Sequence, residues 1–355
     1  MKGPSPVLAV LLLCLLGACR PIVPELQRPR PNIIYIMSDD HALRTIGAYA
    51  DFHRTPNLDR MAEGGATFTS AFVANSICGP SRAAILTGLH SHKNGVLGNG
   101  SPWDSTQTVF PRLLKAAGYQ TALIGKWHLN SRPADEFDYY KILTGAGRQG
   151  FYYNPEFFDS RTGLEDQAGY ATDLITDEAL RWLQQERSPE QPFLLLVQYK
   201  APHVPRMPPL RLLDRYLDET IPEPPTLHDD LATRSYYARQ VNFFLDRYPM
   251  LPPYGTYDPR QHNIYLARMT DEELRAFTRT MRAEQEQWTY HQLLSVLVAE
   301  ETDMGVLQAR HGSSSDDEFS QDITVIGQGG LQFTDTLLAG GDVGLDVLDL
   351  AVWEA

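Results

Sequence analysis

The chain has little cysteine and too few cations to balance its acids. Only Cys14, Cys19 and Cys78 are cysteines among 355 residues. Lysine and arginine number 31 against 44 acidic residues, for a net charge of −13, and no lysine follows Lys200. That balance excludes nucleic acid as a main partner, because a polyanion needs a basic footprint. It also means that an anionic substrate must be met by local cations or a metal, against the field of the whole protein. No apolar run reaches the length of a bilayer-spanning helix; the run from Val7 to Leu16 is too short. The apolar content of 43% is ordinary for a globular protein, and the length allows one large domain or two small ones.

The first residues read as a targeting segment rather than as part of a fold. Lys2 gives a positive start, Val7 to Leu16 is the apolar stretch, and Leu16-Gly17-Ala18-Cys19 resembles a bacterial lipobox. The expectation is a lipoprotein signal peptide over 1–18, cleaved before Cys19, which then takes lipid. A plain signal peptide that happens to contain Cys19 is the alternative. Arg20 does not resemble the inner-membrane retention pattern with aspartate, so the expected address is periplasmic or cell-surface, at the outer membrane. Residues 19–31 are Pro-rich and read as a tether. Cys14 leaves with the signal and Cys19 is acylated, which makes Cys78 the lone thiol of the mature chain and rules out an intrachain disulfide.

Asn32 to Met37 is a continuous apolar run with β-branched residues, bounded by proline before and Ser38-Asp39-Asp40 after, and reads as a buried strand. Thr55-Pro56 opens a helix, with threonine as cap and proline in the first turn, running to Gly64-Gly65. Gly79-Pro80-Ser81 starts a second helix, and Phe110 to Ala117 is a short one closed by Gly118. Tyr119 to Gly125 is a strand, Tyr170 to Glu186 an amphipathic helix, and Phe193 to Gln198 another buried strand. Pro202 to Pro259 has little periodicity and reads as long surface loops. Thr270 to Arg310 is largely helical, and Ile323 to Ile326 is a strand. Strands alternating with helices predict an α/β domain with a mainly parallel sheet, whose active groups sit at the carboxyl ends of strands.

Four motifs carry chemistry. Ser38-Asp39-Asp40-His41 follows the first strand; paired carboxylates suit a hard divalent cation such as Ca²⁺, and equally an Asp-rich turn or helix cap. Gly125-Lys126-Trp127-His128 follows the next strand. In an extended segment, Lys126 and His128 share one side, a fixed cation beside a group that titrates near neutrality. Lys200-Ala201-Pro202-His203 follows the third, with Pro202 stiffening the approach to His203. The run Cys78-Gly79-Pro80-Ser81-Arg82-Ala83-Ala84-Ile85-Leu86-Thr87-Gly88 is the most specific. Seven of its residues (Cys, Pro, Ser, Arg, Leu, Thr, Gly) stand where the type I sulfatase signature puts them, a match whose chance odds are on the order of one in a million.

With the Lys126–His128 and Lys200–His203 motifs in order behind it, residues 32 to about 205 resemble the type I sulfatases. Their nearest look is to bacterial glycan sulfatases similar to N-acetylglucosamine-6-sulfatase. The resemblance implies an alkaline-phosphatase-like three-layer sandwich, with a catalytic-type domain over 32–330. It implies a maturase that oxidises Cys78 to formylglycine, and a Ca²⁺ held by Asp39, Asp40 and residue 78. It implies hydrolysis of a sulfated carbohydrate in two steps, with a hydrated aldehyde as nucleophile. By the same resemblance Arg82 holds the diol, Lys126 binds sulfate oxygens, His128 takes the diol proton and His203 assists the leaving oxygen.

The match weakens late in the chain. Sulfatases continue with a strand ending in Ser-Asp-Asn-Gly or Ser-Asp-Gln-Gly, and then a lysine. Here Ile323 to Ile326 is followed by Gly327-Gln328-Gly329-Gly330, so Gln328 stands as the remaining candidate ligand and the late lysine has no counterpart. Residues 331–355 read as a divergent or truncated tail, with the smaller C-terminal subdomain absent. Two alternatives stay open: a catalytically impaired, lipid-anchored relative that binds sulfated glycans, and a phosphodiester or phosphonate hydrolase of the same fold.

Overall fold

A computed structural model of the chain describes residues 30–50, 52–203, 205, 207–213, 215, 222, 264–285 and 323–326. The signal and tether readings, most of 202–259, residues 286–322 and everything beyond 326, Gln328 included, lie outside the described residues.

The described elements are β1 (Asn32–Met37), α1 (Pro56–Gly64), α2 (Cys78–Thr87), α3 (Ser91–Asn94), α4 (Phe110–Ala116), β2 (Gln120–Gly125), β3 (Tyr139–Leu143), β4 (Glu156–Asp159), β5 (Gly163–Asp166), α5 (Ala171–Arg181), β6 (Phe193–Gln198), α6 (Asp271–Gln285) and β7 (Ile323–Ile326). The strands form one seven-stranded sheet in the order β5-β4-β3-β2-β6-β1-β7. Every pairing from β3 to β7 is parallel, while β4 and β5 add an antiparallel edge. The sheet is therefore mainly parallel and mixed, as the alternation of elements predicts.

Apolar alternation builds a core on each face of that sheet. Successive side chains of a strand face opposite ways. Leu195 and Val197 of β6 join Ile34, Ala122 and Ile124 on one face, where Ile175 and Ala179 of α5 and Phe277 of α6 cover them. Leu194 and Leu196 join Tyr35, Met37 and Leu123 on the other, beneath Ala83 and Leu86 of α2. Helix, sheet and helix make three layers. β6 is buried along its whole length, and each of its leucines is worth roughly 1.5–3 kcal/mol of burial.

Several local expectations change. α2 begins at Cys78 itself, one residue earlier than expected. Thr55 makes no side-chain cap. Its hydroxyl instead donates to Asp59 Oδ1 at 2.8 Å and accepts from the Gly47 amide at 2.7 Å, tying the helix to the preceding turn. The helix expected over Tyr170 to Glu186 is α-helical only from Ala171 to Arg181, and Trp182–Glu186 widens into a π-turn. There the Arg187 amide bonds back to Trp182 O, which lets the fully buried Trp182 ring meet Phe193 edge-on at 5.7 Å. The segment after Pro202 is not wholly surface loop: Met207, Pro208, Pro209 and Leu213 are buried. Tyr153 and Tyr170 donate hydroxyls to Pro208 O and Met207 O at 2.6 and 3.0 Å, satisfying backbone that burial strips of water. Strands β3 to β5 had no expectation, since their runs are short and interleaved with charge.

Candidate active site

The order β2-β6-β1 places the carboxyl ends of three parallel neighbours side by side, and each end carries one of the motifs. Asp39 lies two residues past β1, Lys126 directly past β2, and Lys200 to His203 just past β6. Backbone bonds lock the ends together: Tyr199 N donates to Met37 O at 2.8 Å, Asp39 N to Ala201 O at 3.0 Å, and Lys126 N to Gln198 O at 2.6 Å. Gly125 has φ +111, and a Cβ there would sit 1.9 Å from Gln198 O. Only glycine permits this approach of the two strands.

Asp39 is the electrostatic centre. Its Oδ2 takes an ion pair from Lys126 Nζ and another from Arg82 Nη2 at 3.1 Å, all three side chains being buried. Its Oδ1 accepts from Cys78 Sγ at 3.4 Å. Burial alone would raise the Asp39 pKa, but the charges of Lys126, Arg82 and His203 outweigh it and hold the carboxyl well below the usual range. Arg82 is fixed twice more, by Lys126 O and by Gln198 Oε1 at 2.7 Å. Lys126 Nζ also donates to Gln149 Oε1 at 3.2 Å.

Cys78 opens α2 at the same edge. Asp39, Cys78 and His203 offer ligand atoms within 4.8 Å of one another. Burial, and then the Asp39 charge, push the Cys78 thiol up to about 11, so the unmodified side chain is protonated at neutral pH. The Gly79 amide is held by Asn99 Oδ1 at 2.8 Å. Asp40 is more exposed, with its Oδ2 3.7 Å from His203 Nε2.

His128 does not sit in an extended segment. Its φ is +53, so the alternation expected to align it with Lys126 fails there, and the left-handed turn sets its direction instead. Asp40 likewise has φ +59. Such backbone costs free energy in a non-glycine residue and clusters at functional sites. His128 is buried, its Nδ1 has no hydrogen-bond partner among the described residues, and burial followed by the Lys126 and Arg82 charges lowers its pKa to about 3.

The structure thus gathers Asp39, Cys78, Arg82, Lys126 and His203 around one carboxylate and keeps His128 on the strand end that carries Lys126. Gln328 lies outside the described residues. Gln198, Gln149 and Asn99 were missed. Gln198 had a faint signal, a polar residue closing an apolar strand; Gln149 and Asn99 had none. As a ligand set, Asp39 and Asp40 offer the hard oxygens that Ca²⁺ takes, whereas a sulfur at position 78 does not suit it and an oxygen-bearing formylglycine does.

The sulfatase family model matches residues 31–288. An N-acetylglucosamine-6-O-sulfatase of Bacteroides thetaiotaomicron is 41% identical over 246 residues, covering 69% of this chain and 43% of that protein. A solved structure of a protein in complex with its substrate D-glucosamine-2-N,6-O-disulfate aligns with TM-score 0.71 at 32% identity, over 84% of this chain and 65% of that one. A phosphonate monoester hydrolase of Agrobacterium radiobacter aligns with TM-score 0.53 at 17% identity, over 84% of this chain and 62% of that one, a likeness of fold alone. The chain spans less than half the length of the Bacteroides relative.

Proposed function

This chain belongs to the sulfatase family, and from that premise we propose that it removes sulfate from a sulfated amino sugar through a formylglycine formed at Cys78, with Ca²⁺ held by Asp39 and Asp40. The observation that carries the reading is the convergence of Asp39, Cys78 and His203 within 4.8 Å, with Lys126 and Arg82 on the same carboxylate. Bound there, the cation and the oxidised side chain would supply, respectively, charge compensation and a nucleophilic oxygen.

The chain's own residues have distinct tasks. Lys126 is a desolvated cation at the sulfate position, where charge acts more strongly than in water. Arg82, anchored by three acceptors, keeps Asp39 in place and adds positive charge. His128, at the strand end that carries Lys126, is proposed to accept a proton from the oxygen at residue 78; burial and the Lys126 and Arg82 charges hold it neutral and a bound anion between it and those cations would raise its basicity. His203, beside Cys78 and Asp40, is proposed to donate to the departing sugar oxygen. Gln328 is proposed as a further neutral ligand, and Cys19 as the lipid attachment point of an exported, outer-membrane lipoprotein; the Leu16-Gly17-Ala18-Cys19 motif supports the latter.

The test is co-expression with a formylglycine-generating maturase. The peptide containing Cys78 is then analysed by mass spectrometry, and turnover of N-acetylglucosamine-6-sulfate is assayed with and without Ca²⁺. Conversion at Cys78, turnover that a chelator abolishes, and no turnover in Cys78→Ala are expected. Unmodified thiol in every molecule would sink the proposed chemistry. Conversion and Ca²⁺ binding without turnover would instead support a glycan-binding relative.

A further inference from the structure

Three tyrosines aim their hydroxyls at one stretch of main chain. Tyr152 donates to His203 O, Tyr170 to Met207 O at 3.0 Å and Tyr153 to Pro208 O at 2.6 Å. The accepting stretch is the one that leaves β6. All three tyrosines are buried, so each hydroxyl satisfies a carbonyl that burial strips of water. Two of these bonds lie further along the chain. The third ends on the residue whose side chain stands beside Cys78 and Asp40.

Tyr152 is a fixed point. It is 1% exposed. Its ring stacks on Tyr170 at 6.0 Å and 18°, and Lys200 Nζ lies 4.9 Å over its centroid. Its carbonyl accepts from Ala171 N, the first residue of α5, at 2.7 Å. A phenol whose ring is locked by packing has one direction in which to place its oxygen. The turn that receives it is pinned at two other places: His203 N donates to Lys200 O and Asp39 N to Ala201 O, each at 3.0 Å. Tyr152 closes the turn at its far end.

The same short link reaches the other basic group of the site. Gln149 accepts from Lys126 Nζ at 3.2 Å. Between the two, Gly150 has φ +78, and a Cβ there would sit 2.8 Å from Leu143 Cβ, so the link is pressed against the end of β3. Residues 149–152 therefore contact Lys126 past β2 and His203 past β6 at once. Such support from behind is what holds a reacting side chain within the tolerance that catalysis demands.

We propose that Tyr152 is a positioning residue: by holding His203 O it sets the imidazole against the departing sugar oxygen, while Tyr153 and Tyr170 only tie down the chain that follows. This rests on the reaction proposed above, so the test separates the two. Tyr152→Phe keeps the ring and removes the donor. Tyr170→Phe removes the equivalent donor to Met207 O and is the control for a merely structural loss. Both are made in the full chain. Turnover is measured on protein matured at Cys78, and amide hydrogen exchange on unmatured protein.

A displaced proton donor costs rate rather than binding, because its transfer belongs to the transition state. In Tyr152→Phe, kcat for N-acetylglucosamine-6-sulfate should fall about ten- to a hundredfold with KM unchanged. The loss should be smaller on 4-nitrophenyl sulfate, whose leaving phenolate needs little help from a proton. Tyr170→Phe should keep kcat near the parent value. The His203 amide should exchange faster in Tyr152→Phe than in the parent or in Tyr170→Phe. Equal kcat losses in the two variants, equal losses on the two esters, a loss carried by KM, or unaltered exchange at His203 would overturn the positioning role. Faster exchange at His203 in a matured chain that hydrolyses neither ester would preserve the hold of Tyr152 on His203 and overturn the hydrolytic reading.

Discussion

Asp39 and Arg82 form an ion pair of 3.1 Å with both side chains shut away from water. They are brought together by α2 lying across the end of β1. A buried pair of this kind is costly to break from one side, because the partner is left charged and desolvated. Arg82→Met keeps the volume and removes the charge. It should cost about 3–5 kcal/mol in denaturant unfolding, softened to the degree that Lys126 compensates. A loss below about 1 kcal/mol, the size of an exposed pair, would contradict the buried geometry.

Gly125 and Gln198 make a second sharp case. Gly125→Ala places a methyl group 1.9 Å from Gln198 O at a positive φ, so the β2–β6 ladder must part at the edge that carries Lys126. A loss of at least about 2 kcal/mol is expected from overpacking and backbone strain together. A fully stable alanine variant would show that the strands do not approach so closely.

The unmodified thiol should be sluggish. With Cys78 raised to about 11 against about 8.5 in an unfolded chain, the thiolate population at pH 8 falls by roughly two orders of magnitude. Alkylation by iodoacetamide should be correspondingly slow in the folded protein and fast in denaturant. Rapid labelling of the native protein at pH 7 would speak against a buried thiol facing Asp39.

Stability should fall on mild acidification. Burial, the first cause in each case, lowers His128 to about 3 and His41 to about 4. Unfolded, both protonate near 6.5. Between about pH 6.5 and 4 the unfolded chain therefore binds more protons, and unfolding free energy must decrease as pH drops through that window. Asp39, whose folded pKa is depressed, keeps its contribution above the unfolded carboxyl value and loses it only at lower pH. In His128→Asn the slope should shrink by about 1.4 kcal/mol per pH unit at its steepest. An unchanged slope would mean that His128 is not held neutral by burial.

Much of the fold was legible because its signals are local. β1 and β6 are apolar runs bounded by proline or polar residues, and such runs become buried parallel strands whatever surrounds them. Cys78 to Gly88 was legible as a motif, and Asp39, Lys126 and His203 as residues at strand ends. The antiparallel edge formed by β4 and β5 was not, since Glu156–Asp159 and Gly163–Asp166 have no apolar run to announce them. The π-turn at Trp182 was hidden for a related reason: helical spacing continues through it, and only the contact with Phe193 shows why it widens.

The amino-acid order by itself determined which chemistry-bearing residues follow which strands, the thiol at the start of a helix, and the shortage of cations that any anionic ligand must overcome. Only the tertiary structure decided who meets whom. The strand order β2-β6-β1 puts Lys126 and Arg82 on one carboxylate of Asp39, and a left-handed turn at His128 replaces the alternation that an extended segment would give. Strand order and chain reversal arise from packing between distant segments, which no local pattern records.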